Sequence, residues 1–338
     1  MRIGIIIAVI VICIAFAGCA MRSQTGDANR TGATPKPGAP TPIPPKPDIQ
    51  LQKQIAEIAK EGQGEVGVFA ELIETGETVS LNPDAHFAMQ SVVKLPVSMA
   101  VLQLISEGKV DMDELIAVKP EDYVRPNSRS PIRDANPDGV ELTVRELIRY
   151  AISESDGTAS DVLQHLAGDA KGVQAYLNSL GIRGIQIEHT HKEFGREWAL
   201  QYENWETPAA TVQLLKKLFA AEGITGEHRD LLLGHMIESH NPPKRLKGML
   251  PPGTVVAHKT GTGGNQNGIA AATNDVGIIK LPNGNHVAIA VLIGDSTADH
   301  ATRDAVIAKI AKAVFDKWSL TSAEYVKPAN FNERHTLN

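Results

Sequence analysis

The sequence predicts an α/β chain of the α+β kind: one antiparallel sheet formed by both chain ends, a mostly helical lobe beside it, and a site in the cleft between them. Three observations carry this. Segments of β character open the folded region and return beyond Pro252. The block between them places apolar residues at helical spacing. Finally, Asn283-Gly284 separates two apolar runs as a tight hairpin turn would.

The elements follow in order. Residues 51–59 set Leu51, Ile55 and Ile58 on one helical face, and residues 65–73 then turn to β character through Val66, Val68 and Phe69, with a second strand at 78–81. Helical spacing recurs over 91–106, 140–151, 159–166, 208–221 and 228–237. Strands are predicted over 254–259, 268–281 and 286–293, and a helix over 301–318.

The chain divides accordingly. Residues 1–18 read as an export signal, with Arg2 as the positive start, an apolar run from Ile3 to Phe16, and small residues Ala17 and Gly18 before Cys19. That run is short for a membrane span. Residues 19–49 form a linker dense in proline, including Pro35, Pro37, Pro40, Pro42, Pro44, Pro45 and Pro47, which makes a stiff, extended tether. Residues 50–320 are the expected catalytic domain, and 321–338 a loose tail.

With 338 residues and 42% hydrophobic content, the chain can bury a substantial core. A formal net charge of -6, with Lys and Arg scattered, gives no basic field for nucleic acid. Both cysteines, Cys13 and Cys19, lie in the first twenty residues, so the folded part has no thiolate for a disulfide or a metal. Its chemistry must use hydroxyl, amine, imidazole or carboxylate groups, and no metal or cofactor is expected.

Three short motifs carry the chemistry. Ser91-Val92-Val93-Lys94 lies at a helix start, where three-residue spacing puts the amine beside the hydroxyl. A desolvated lysine can serve as base to a serine nucleophile, and the helix N-terminus favours the negative charge that develops. Ser155-Asp156-Gly157 falls in a break between two helices, and Lys259-Thr260-Gly261-Thr262-Gly263 ends a strand. Each has a bland reading alone: an amphipathic helix, an N-cap turn, and an exposed strand end. Their order, each on the element it needs, is what distinguishes them.

Together these resemble the Ser-x-x-Lys, Ser-Asp-Asn and Lys-Thr-Gly elements of class A serine β-lactamases and penicillin-binding proteins. Supporting stretches are Ser130-Pro131, Gln201-Tyr202-Glu203-Asn204-Trp205, Arg245-Leu246-Lys247-Gly248 and Asn274-Asp275-Val276-Gly277; the second resembles the extended-spectrum branch. The resemblance implies that Ser91 attacks a lactam carbonyl, its N–H and that of Thr262 forming the oxyanion hole. It implies Lys94 as a candidate base and Ser155, helped by Lys259, as the proton relay to the leaving nitrogen. Thr260 and Thr262 would bind the substrate carboxylate, Gly261 would let substrate lie against the strand, and Arg245 would pair that carboxylate. Ala17-Gly18-Cys19 also resembles a lipobox, which implies lipid on Cys19 and, with Ala20 following, the periplasmic face of a Gram-negative outer membrane.

Two positions depart from the family. Gly157 stands where Asn is usual, removing an amide that contacts substrate. Class A enzymes hydrolyse the acyl-enzyme with a loop Glu, yet anchoring the loop on Gln201-Tyr202 puts His191 at that position. Three readings stay open: Glu193 serves through a two-residue shift, His191 is itself the base, or deacylation is slow. The function expected is β-lactam hydrolysis by a monomer; the alternatives are a D-alanyl-D-alanine peptidase trapped by the drug, and a non-catalytic, lipid-anchored binding protein.

Overall fold

The computed structural model describes residues 48–239 and 244–321. The export signal, the linker up to residue 47, Cys19, and the tail beyond residue 321 lie outside the described residues. In chain order the elements are α1 (Ile49–Ala59), β1 (Glu65–Leu72), β2 (Glu77–Leu81), β3 (Phe87–Ala88), α2 (Lys94–Ser106), β4 (Leu115–Val118), α3 (Pro131–Ala135), β5 (Val140–Thr143), α4 (Val144–Ile152) and α5 (Gly157–Leu166). There follow α6 (Asp169–Ser179), β6 (Ile185–Gln186), α7 (His191–Phe194), β7 (Trp205–Glu206), α8 (Pro208–Phe219), α9 (Gly226–Ile237), β8 (Val256–Thr262), β9 (Asn265–Gln266), β10 (Ile269–Lys280), β11 (His286–Ser296) and α10 (His300–Thr321).

The main sheet runs β2-β1-β11-β10-β8, with β9 paired to β10. Its centre joins the two chain ends: β1 pairs antiparallel with β11 from Glu65↔Gly294 to Leu72↔Val287. β11 is buried on both faces. Val287, Ile289, Val291 and Ile293 enter a core with α1 and α10, whereas Ala288, Ala290 and Leu292 enter the larger core of the helical lobe. This two-residue alternation is the pleat of a strand, and covering both faces makes the sequence read as one apolar run. At the centre of the lobe, α2 is buried along its whole first half, Lys94 included, as expected of a helix surrounded by others.

Several predicted bounds shift for local reasons. Val140 opens not a helix but β5, paired with β4; α4 begins at Val144, after Thr143 and Glu146 close a capping box. The helix α6 was not read from the sequence, because only Val173, Tyr176 and Leu177 of it are buried. The strand expected from Thr254 begins at Val256 and continues through Thr262, so Lys259-Thr260-Gly261 lies inside β8, at the sheet edge.

Candidate active site

Ser91 belongs to a 3-10 turn, Gln90–Val93, that runs into α2. Three residues per turn eclipse positions i and i+3, so Lys94 stands directly over Ser91 and its Nζ donates to Ser91 Oγ at 2.7 Å. Gln90, just before the nucleophile, has φ 50, a conformation uncommon for a residue with a side chain. Lys94 is 1% exposed. Burial brings its pKa down to about 7, with Arg129 adding to the fall and Asp161 and Asp156 opposing it.

Ser155 sits between α4 and α5 with φ 55. The helix cap is its neighbour: Asp156 accepts from Ala159 N–H at 2.9 Å and also binds Ile132 N–H and Ser130 Oγ, tying the Ser130-Pro131 stretch to α5. Ser155 Oγ is thereby free to accept from Lys259 Nζ at 2.9 Å. Lys259 is fully buried, and that burial, then Lys94, lowers its pKa well below the usual lysine value.

Ser91, Ser155, Thr260, Thr262 and His191 line one cleft of about 520 Å³. The free edge of β8 forms one wall. Gly263 N–H donates to Ala272 O, and antiparallel alternation then directs Thr262 N–H away from β10 and out of that edge. The arrangement offers a nucleophile held by an amine, a second hydroxyl held by another amine, an edge N–H for an oxyanion, and two threonine hydroxyls for a polar substrate group.

The loop residues separate. Thr190 caps α7 and accepts from Glu193 N–H, while Glu193 Oε2 accepts from Thr190 N–H at 2.9 Å. Glu193 is thus engaged in a capping box and is not among the cleft-lining residues, which corrects the expectation of a shifted carboxylate. His191 faces the cleft, 6% exposed, with Nε2 2.6 Å from Lys94 Nζ. Burial, then the Lys94 charge, brings its pKa down to about 4, and Asp161 resists the fall. Asp161 accepts from His191 N–H at 2.7 Å and from Lys192 N–H at 2.9 Å. Sequence reasoning passed over Asp161; the signal was its being the one acid of α5, on a face otherwise buried.

Three further expectations are corrected. Arg245, expected to pair the substrate carboxylate, is not part of the cleft wall. Buried, it binds Asp304 at 2.7 Å, Gly261 O at 2.9 Å and Asn274 O at 2.8 Å, and reaches the cleft only through Thr262 Oγ1 at 2.8 Å. Gly261 gives room to the enzyme rather than to substrate: a Cβ there would stand 2.5 Å from Met89 O and 3.1 Å from Val92 Cγ2, beside the turn that carries Ser91. Gly157 lies outside the cleft lining; a Cβ on it would meet Val124 Cγ1 at 3.2 Å and Arg129 O at 3.3 Å.

Comparison with known proteins agrees with this geometry. Residues 50–318 match the family model described as the β-lactamase enzyme family. The chain is 37% identical to "Beta-lactamase VEB-1" of Pseudomonas aeruginosa over 79% of its own length and 89% of the relative's. It is 35% identical to "Extended-spectrum beta-lactamase PER-1" of the same organism, covering 78% and 86%. A solved class A β-lactamase from Bacteroides cellulosilyticus superposes with a TM-score of 0.75 at 33% identity, covering 80% of this chain and 97% of that one. With its serine, lysine and strand motifs assembled in one cleft, the chain belongs to the β-lactamase enzyme family, in class A.

Proposed function

We propose that this protein hydrolyses β-lactams through an acyl-enzyme on Ser91. The observation that carries the reading is the 2.7 Å contact from Lys94 Nζ to Ser91 Oγ, in a cleft where Lys94 is buried enough to act as a base near neutral pH. Ser91 Oγ bonds to the lactam carbonyl carbon as its proton passes to Lys94, and the oxyanion takes the N–H groups of Ser91 and Thr262. The lactam C–N bond breaks and the nitrogen takes a proton from Ser155 Oγ, which Lys259 replaces across 2.9 Å. A lysine made easier to deprotonate by burial suits that donation.

Thr260 and Thr262 bind the substrate carboxylate, with Arg245 holding Thr262 in place. The likeness to a relative named as extended-spectrum supports a place in that branch. Neither the peptidase nor the non-catalytic alternative has an observation that favours it. The purified protein should turn over a chromogenic cephalosporin, and Ser91→Ala should abolish turnover; hydrolysis that survives the change sinks the mechanism.

Localisation rests on the sequence of residues 1–20. In this reading Cys19 carries a lipid that anchors the protein to the membrane. Fractionation of a Cys19→Ser chain is the test.

A further inference from the structure

We propose that His191, oriented by Asp161, is the general base that activates water for hydrolysis of the Ser91 acyl-enzyme. This rests on the acyl-enzyme reading above and supplies the step that reading leaves without a base.

The geometry carries it. Laid end to end, the 2.7 Å and 2.6 Å contacts bound the distance from Ser91 Oγ to His191 Nε2 at about 5 Å, the span of one water making two hydrogen bonds of about 2.8 Å. The ring's tautomer follows from its neighbours. An ammonium on Lys94 can only donate, so across the 2.6 Å contact it places the lone pair on Nε2 and the proton on Nδ1; Asp161 Oδ1, 3.4 Å from Nδ1, is the nearest acid but makes no hydrogen bond to it. Asp161 also fixes the main chain at this point through the N–H groups of His191 and Lys192. Phe194 packs against the ring, with centroids 4.8 Å apart. Imidazole is therefore held by its backbone and its face, with Nε2 turned to the Lys94–Ser91 pair.

Neither carboxylate beside His191 competes for the role, and Glu197, which lines the cleft, is exposed to solvent. Glu193 is closed in its capping box, and the carboxylate of Asp161 is occupied by two backbone N–H groups on the far side of the ring. The charged groups acting on His191 are Lys94, Lys259 and Asp161; the two lysines and burial keep the imidazole neutral, as a base must be.

The step balances. A water that reaches the ester carbon takes over from Lys94 as donor to Nε2. Its oxygen bonds to that carbon while its proton passes to Nε2. The C–Oγ bond then breaks, Oγ takes a proton from Lys94 Nζ, and His191 returns its own to Lys94 across the 2.6 Å contact. The acid product leaves and His191 is neutral again; Lys94 then releases to solvent the proton it took from Ser91 in acylation, and Lys259 regains the one it supplied through Ser155, which restores the starting state. Asp161 touches neither water nor ester and is a positioning residue.

The test separates the two half-reactions in the full-length protein, using a chromogenic cephalosporin with stopped-flow detection and intact mass. In His191→Ala, Ser91 should acylate within about tenfold of the unaltered rate. Decay of its adduct should slow by about 10²–10⁴, the usual contribution of a general base. His191→Glu, which restores a base of different pKa, should recover decay with a displaced pH profile. Asp161→Asn should slow decay and move that profile, which a purely structural support would not do. Adduct decay in His191→Ala at the unaltered rate overturns the proposal, as does an equal loss of acylation and decay, or a persistent adduct in the unaltered protein. Absence of both turnover and a Ser91 adduct in the unaltered protein would instead defeat the acyl-enzyme reading itself.

Discussion

Replacing Gly261 with Ala should cripple acylation although the added methyl touches no substrate. The new Cβ would lie 2.5 Å from Met89 O, and carbon–oxygen contacts close no nearer than about 3.3 Å. About 0.8 Å must be found between β8 and the turn that carries Ser91. Met89 O is backbone, two residues from the nucleophile, so no flexible side-chain end can absorb the shift. The displaced parts are the two that make the oxyanion hole, Ser91 N–H on the turn and Thr262 N–H on the strand. A misplacement approaching 1 Å costs about 10²-fold in rate, and overpacking of this kind costs about 1–3 kcal/mol in stability. Stopped-flow acylation by a chromogenic cephalosporin should therefore fall by about 10²-fold, with a melting temperature lower by several degrees. A Gly261→Ala protein that acylates and melts like the unaltered one would refute the claim that this glycine serves the close approach of strand and turn.

Two other outcomes are expected. Acylation should require neutral Lys94, whose pKa lies near 7 through burial and Arg129, against the pull of Asp161 and Asp156; the acylation rate should hold above pH 7 and fall about tenfold per unit below it, and a single-turnover rate flat from pH 5 to 8 would remove Lys94 as the base. If Cys19 carries the lipid, Cys19→Ser should move activity from the membrane to the soluble fraction and abolish incorporation of labelled fatty acid, whereas unchanged membrane retention would contradict the anchor.

Much of the fold was legible in the sequence because its signals are local. The run from His286 to Ile293 is apolar because both faces of β11 are covered, and the hairpin turn before it announces its pairing with β10. Where the pattern misled, two phases coincided. Val140 continues the helical spacing of Val144, Leu147 and Ile148 yet lies in β5, and only the Thr143–Glu146 capping box marks the true helix start. The same signature was available at Thr190 and Glu193, and it explains why that glutamate is a cap.

By itself the sequence determined the motif set: a serine three residues before a lysine, a second serine in a helix break, and a lysine on a late strand. Those depend on spacing along one element, which a chain carries wherever it folds. Only the tertiary structure decided which loop residue faces the nucleophile, because His191 is placed by Asp161, thirty residues earlier on α5. It alone buried Arg245 against Asp304, fifty-nine residues later, and set Gly261 against Met89. Orientation, burial and close approach are properties of packed surfaces, and residues far apart in sequence meet to form them only when the sheet closes on the helical lobe.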